Sequence, residues 1–255
     1  MNCRVLGKGT KIMVAFHGFG QDGDVSRNLS FHGMDLTIYS FDLPFHGDTK
    51  IKNYLKPLDA NELQEIMMRL IEITSIGRFS LLGYSIGVKL VFPLLEKFQK
   101  NISEIWLLAP DGITPNFWYN IATGTSSMRF LFQNVLQTPS IVRVTGRLFR
   151  LIGLIDQTTL QFILRSIETE KKRSQVYKTW TYLRKLKPHI GELALTLNRQ
   201  KIPVYFVIGK SDKIINKSRI IPLESKLEEA EIIELSSGHQ NLIKKFADWY
   251  SINSE

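Results

Sequence analysis

The 255-residue sequence predicts an α/β fold: a mostly parallel sheet with helices on both faces, broken by an inserted all-helical cap. Three observations predict it. Short apolar runs of strand type alternate with segments whose apolar residues recur at helical spacing. Those runs are apolar throughout rather than alternating, as suits strands covered on both sides. From about Pro115 to Lys187 no strand-like run occurs, so the alternation is interrupted once, by helices alone. The chain divides accordingly, with 1–110 and 189–255 as the α/β core and 111–188 as the inserted cap.

The elements follow in order. Lys11–Phe16 is a buried-type strand that runs into the turn His17-Gly18-Phe19-Gly20. Leu36–Phe41 is the next, ending in Asp42-Leu43-Pro44-Phe45-His46-Gly47-Asp48, a loop by its Pro, Gly and Asp. Asn61 to Ile76 has helical spacing, with Leu63, Ile66, Met67, Leu70 and Ile71 on one face and Asp59 or Asn61 as the cap. Phe79–Leu82 is a strand and Val88–Phe98 a helix; between them stands Gly83-Tyr84-Ser85-Ile86-Gly87. Ile105–Ala109, Pro203–Ile208 and Glu231–Leu235 complete the strands, and a last helix runs from about Gln240 to Tyr250. Within the cap, Thr138-Pro139 opens one helix, Asp156 caps another, and Pro188 is placed to stop a third.

Composition narrows the class. A 44% apolar and 22% charged chain is an ordinary globular one. Cys3 is the single cysteine, so neither an internal disulfide nor a cysteine metal site is available. No signal-type or membrane-spanning apolar run is present, which reads as a cytoplasmic protein. The net charge is +9. Between Asp111 and Pro188 twelve Lys and Arg face four Asp and Glu, so the excess belongs to the cap.

G-x-S-x-G between a strand and a helix is the layout of a nucleophile elbow, with Ser85 at the turn. A serine hydroxyl needs a base, and the base an orienting acid. His239, in Ser236-Ser237-Gly238-His239, follows the last strand. Asp212, in Gly209-Lys210-Ser211-Asp212, follows the strand before it. Both loops lie at the carboxyl edge of the sheet, where the elbow lies, and the order Ser85, Asp212, His239 is that expected of this layout. Asp111 also follows a strand at that edge and is the alternative acid; chain order favours Asp212. The backbone N–H groups of Ile86 and Phe19 are the expected oxyanion donors. His17 and His46 read as structural, and His32 and His189 receive no role. Gly209-Lys210-Ser211 ends like a phosphate-binding loop, but Val204 stands where that motif needs glycine.

On the residues His17-Gly18-Phe19-Gly20, Asp42 to Gly47, Gly83 to Gly87, Gly209 to Asp212 and Gly238-His239, the sequence resembles α/β-hydrolases with a helical cap and a serine nucleophile. It departs from them at Phe45, where glycine is usual, and at Val88, where a small residue is common. The resemblance implies a serine rather than the aspartate of the dehalogenases and epoxide hydrolases of this fold. It implies no metal or organic cofactor. The expected activity is cleavage of a carboxylic ester or thioester through an acyl-enzyme on Ser85. Two alternatives remain open: a carbon–carbon bond hydrolase or lyase of menaquinone-synthesis type with the same triad, and a ligand-sensing protein of this fold with weak turnover.

The expected partner is a small acyl substrate. Phe117, Trp118, Tyr119, Phe130, Phe132 and further cap aromatics read mainly as packing, with some facing a cleft. Arg129, Arg143, Arg147, Arg150 and Arg165 read first as a solvated basic face. The sharper expectation is that one or two bind an anionic substrate. Contact with an anionic membrane is open but not favoured. Nucleic acid is not expected, since Lys171-Lys172-Arg173 is the single tight basic cluster.

Overall fold

The computed structural model describes residues 1–30 and 35–253. They form two compact units, one of 1–50, 58–114 and 186–255, the other of 51–57 and 115–185.

In the first unit the strands are β1 (Cys3–Gly7), β2 (Lys11–Phe16), β3 (Leu36–Phe41), β4 (Phe79–Tyr84), β5 (Ile102–Leu108), β6 (Val204–Gly209) and β7 (Ala230–Leu235). They form one sheet in the order β1-β3-β2-β4-β5-β6-β7. All neighbours are parallel except β1, which pairs antiparallel with β3. The helices of the chain, in order, are α1 (Arg27–Ser30), α2 (Ala60–Thr74), α3 (Val88–Phe98), α4 (Phe117–Gly124), α5 (Ser126–Gln137), α6 (Pro139–Leu151), α7 (Gln157–Ser166), α8 (Glu170–Tyr182), α9 (Ile190–Gln200), α10 (Ile221–Glu224) and α11 (Leu242–Asn253). Helices α4 to α8 belong to the second unit.

β4 lies at the middle of the sheet and is buried at every position. One face of the sheet presents Met13, Ala15, Ile38, Leu82 and Val207 to a core closed by Leu242, Phe246 and Tyr250 of α11. On the other face α3 packs on β4 and β5, with α2 and α9 beside it. This two-sided burial is why the strands read as continuous apolar runs. The Asp59 side chain caps α2 by accepting the Glu62 N–H at 2.9 Å.

Between 117 and 182 the second unit consists of helices α4 to α8 and their connections, and its helix starts are written in capping residues. Asn116, Thr125, Asp156 and Thr169 each accept a first-turn backbone N–H with the side chain, and Pro139 occupies the first turn of α6. Tyr119, Leu136, Leu160, Ile167, Val176, Tyr182 and Leu183 are among its buried residues. At Gly146 a Cβ would stand 2.6 Å from Leu160, so this glycine lets α6 approach α7. Helix α8 ends at Tyr182, short of Pro188; the proline does not stop it.

Candidate active site

Strand β4 carries the chain to Ser85, and α3 begins three residues later. Ser85 adopts φ 52°, a left-handed conformation in which an L-residue's Cβ is crowded. The strain persists because both flanking glycines fix the turn. A Cβ on Gly83 would lie 2.8 Å from the Val88 Cα, so its absence lets α3 lie on β4. A Cβ on Gly87 would run into the Phe16 carbonyl oxygen and stand 2.6 Å from that of His17. The end of β2 is therefore pressed against the elbow. Val88, larger than the residue usual there, is fully buried over Gly83.

The loop after β7 brings His239 to the same edge. Its Nε2 lies 3.1 Å from Ser85 Oγ, and its Nδ1 lies 2.7 Å from Asp212 Oδ2. Asp212 is held in turn: its Oδ1 accepts the N–H groups of Ile214 and Ile215 at 2.8 and 2.9 Å. The Ser211 N–H donates to the Ser237 carbonyl, which joins the acid's loop to the base's loop. Both Asp212 and His239 are buried. Asp111 enters differently, through its backbone N–H, which donates to the Ser85 carbonyl at 3.2 Å. A hydroxyl beside an imidazole whose far nitrogen faces a carboxylate can pass its proton to Nε2 while the carboxylate holds the ring.

Tyr84, the variable residue before the serine, is part of this assembly. Its hydroxyl donates to the backbone carbonyl of His239, and the two rings lie 5.7 Å apart. A Cβ at Gly18 would meet the Tyr84 ring at 3.1 Å, so the same ring also supports the turn after β2. The sequence gives no signal for this role, because the motif leaves the position free.

Ile86 follows Ser85 directly at the entry to α3, where N–H groups lack partners from their own helix. Phe19 stands in the turn after β2, which Gln21 closes by accepting the Gly18 N–H at 3.0 Å. Its ring rests edge-on against His46 at 5.2 Å.

His17 and His46 are buried supports of that turn. The Nδ1 of His17 is 2.7 Å from the Gly18 carbonyl, and its Nε2 accepts the Leu43 N–H at 2.9 Å. That pairing needs the neutral ring protonated on Nδ1. Burial pushes the imidazole down to about 3, against 6.5 ordinarily. His46 sits 5.3 Å from His17, ring to ring, with Nδ1 bonded to the Pro44 carbonyl at 2.9 Å. Burial lowers it as well. His189 precedes α9 and is exposed; His32 lies outside the described residues.

Asp42, which opens the loop after β3, is a buried carboxylate. Asp42 accepts the N–H of Gly23 at 2.7 Å, the N–H of Asp48 at 2.8 Å and the amide of Asn2 at 2.8 Å, and it pairs with Arg4. Burial pushes its carboxyl up, but these donors outweigh burial and hold it below the usual carboxylate range. Gly47, at φ 51°, lies against this carboxylate where no Cβ fits. Phe45, in place of the usual glycine, takes φ 66° and bears left-handed strain of about 1–2 kcal/mol.

Of the cap arginines, Arg129 donates to the carbonyls of Thr123 and Gly124 at 3.1 and 3.0 Å, closing the end of α4. Arg143, Arg147, Arg150 and Arg165 are exposed.

The sequence matches the alpha/beta hydrolase fold family model over residues 11–246. No curated protein matches the sequence. Among solved structures, a thermophilic esterase from Thermogutta terrifontis superposes with a TM-score of 0.69 at 13% identity, over 98% of this chain and 90% of that one. The thioesterase domain from the curacin biosynthetic pathway gives 0.61 at 14% identity, over 97% and 92%. The meta-cleavage product hydrolase from Pseudomonas fluorescens IP01 gives 0.63 at 12% identity, over 98% and 91%. At these identities the likeness is one of fold. The match along 11–246 carries the assignment: the chain belongs to the alpha/beta hydrolase fold family and is an enzyme of that type.

Proposed function

We propose that the protein is a serine hydrolase that cleaves a carboxylic ester or thioester through an acyl-enzyme on Ser85. The observation that carries this reading is the relay from Ser85 Oγ to His239 Nε2, 3.1 Å, and from His239 Nδ1 to Asp212, 2.7 Å. Ser85 Oγ attacks the acyl carbon while its proton passes to His239 Nε2. The N–H groups of Ile86 and Phe19 stabilise the resulting oxyanion. As the tetrahedral intermediate collapses, the proton on His239 goes to the departing alcohol or thiol, and the acyl group remains on Ser85. Water, giving its proton to the same nitrogen, then forms the acid and restores the hydroxyl. Esterase and thioesterase neighbours of the same fold agree with this chemistry.

The test is labelling with a fluorophosphonate probe together with turnover of short-chain p-nitrophenyl esters and acyl thioesters. Wild type is expected to label, and Ser85→Ala to lose both labelling and at least about 10³ in kcat. Labelling that survives Ser85→Ala would falsify the nucleophile assignment. Asp212→Asn is expected to cripple turnover and Asp111→Asn to leave most of it; the reverse would exchange their roles. Turnover of carbon–carbon substrates with esters left intact would replace the ester reading with the hydrolytic carbon–carbon one.

A further inference from the structure

The second unit carries an apolar surface that its own packing leaves uncovered. Twelve of the eighteen exposed large hydrophobic residues among those described lie between Phe117 and Leu154. Helix α6 organises them. Ile141, Val144, Leu148 and Leu151 are spaced by three, four and three, which sets them in one ridge along the helix. All four are exposed, Val144 at 65% and Leu151 at 79%. The opposite side of α6 does the packing: Gly146 is buried against Leu160, and Phe149 is half-buried under Trp118, centroids 5.8 Å apart. The ridge is therefore not the buried face of an ordinary amphipathic helix. It is a second apolar stripe turned to solvent. The loop after α6 extends it with Ile152 and Leu154, and α4 extends it with Phe117, 67% exposed, which meets Trp118 edge-on.

The charges beside this stripe have one sign. Arg143, Arg147 and Arg150 follow one another along the adjacent side of α6, and all are exposed. Between Pro115 and Ile155 there are four arginines and no Asp or Glu. An exposed apolar ridge flanked by cations, with Trp and Phe at its margin, is the composition of a helix that lies in a membrane interface. Arginine stems reach along apolar surface while their heads stay at headgroup level. Among the described residues no helix is long and apolar enough to cross a membrane.

We propose that α6, with Phe117 and Trp118 of α4 and the loop at 152–154, docks on an anionic lipid surface. The apolar ridge enters the acyl boundary and the arginines pair with lipid phosphates. Binding of this kind draws on burial of the ridge and on attraction to negative headgroups together, so both must contribute to the measured affinity.

The experiment is co-sedimentation with vesicles of phosphatidylcholine alone or with one-third phosphatidylglycerol. The intact chain is expected to bind the anionic vesicles and to be released by salt. Leu148→Asp combined with Leu151→Asp is expected to weaken binding at least about tenfold. Arg143→Gln and Arg147→Gln are expected to weaken it about fivefold each. These residues are exposed, so circular dichroism and turnover of a water-soluble ester stay at wild-type level in every variant. Ser85→Ala is expected to bind vesicles normally, which separates this proposal from the catalytic one. The docking surface is overturned if anionic vesicles fail to bind, if neutral vesicles bind equally well, or if the aspartate pair binds like wild type. It is also overturned if the ridge instead forms a dimer, seen as sedimentation of a two-chain species that the aspartate pair abolishes while vesicles stay unbound.

Discussion

Tyr84 stands one residue before Ser85, yet its hydroxyl reaches 155 positions along the chain to the carbonyl of His239. The strand end that delivers the serine thus also fixes the backbone of the histidine facing it. Tyr84→Phe keeps the ring against Gly18 and His239 but leaves a buried carbonyl without its donor. Such a loss is worth about 1–3 kcal/mol. A group that positions the base should therefore lower kcat about tenfold with KM unchanged, and a kcat at wild-type level would remove Tyr84 from that role. At Gly87 the constraint is steric. Gly87→Ala drives a methyl into the carbonyls of Phe16 and His17, and lost folding or a large drop in melting temperature is expected. These two residues mark what a sequence exposes at this scale. Gly87 is legible because the motif names it. Ser85, Asp212 and His239 are legible as candidates because chain order puts each after a strand at one sheet edge. Tyr84 is illegible because its role depends on a partner the local pattern does not contain.

At the scale of elements, the loops after β2 and β3 are tied by neutral histidine and ionised aspartate, and both ties respond to acid in the same direction. His17 titrates near 3 in the fold and near 6.5 when unfolded. The unfolded chain binds more protons between those values, so stability is complete above about pH 6.5 and falls as the pH is lowered toward 3. His17 alone can account for up to about 1.4 kcal/mol per pH unit across that window. His46, lowered by burial, acts in the same sense. Asp42, also lowered, adds a loss at more acid pH as it is protonated through its folded value. Urea midpoints measured from pH 7 to pH 4 should fall steadily, and His17→Gln should flatten the slope by roughly one proton. An unchanged slope in that variant would show that His17 is not the titrating group. The sheet that carries these loops was largely readable, since strands buried on both sides leave apolar runs. β1 was not. Cys3–Gly7 is a short edge strand with Arg4 within it and only Leu6 inside the core, so its burial pattern leaves no run to read.

At the scale of the whole molecule the charge is divided almost completely between the two units. The second, residues 51–57 and 115–185, holds thirteen Lys and Arg against three Asp and Glu, a net +10. The first holds twenty against twenty-one, a net −1. This asymmetry was visible in residue counts, whereas the apolar ridge on α6 was not, because helical spacing alone does not say which of two apolar faces is covered. Like charges gathered on one small helical unit repel one another and oppose its compact state. Lys172 pairs locally with Glu168 at 2.9 Å. Salt shortens the reach of that repulsion, from about 30 Å at 0.01 M to about 8 Å at 0.15 M. Calorimetry over this range should therefore show the melting temperature rising with sodium chloride. Lys171→Glu together with Lys185→Glu lowers the unit from +10 to +6 and should raise the low-salt melting temperature while shrinking the salt increment. A melting temperature that stays flat or falls with salt would mean that the +10 unit is already neutralised within the fold, and the repulsion argument would then fail for this molecule.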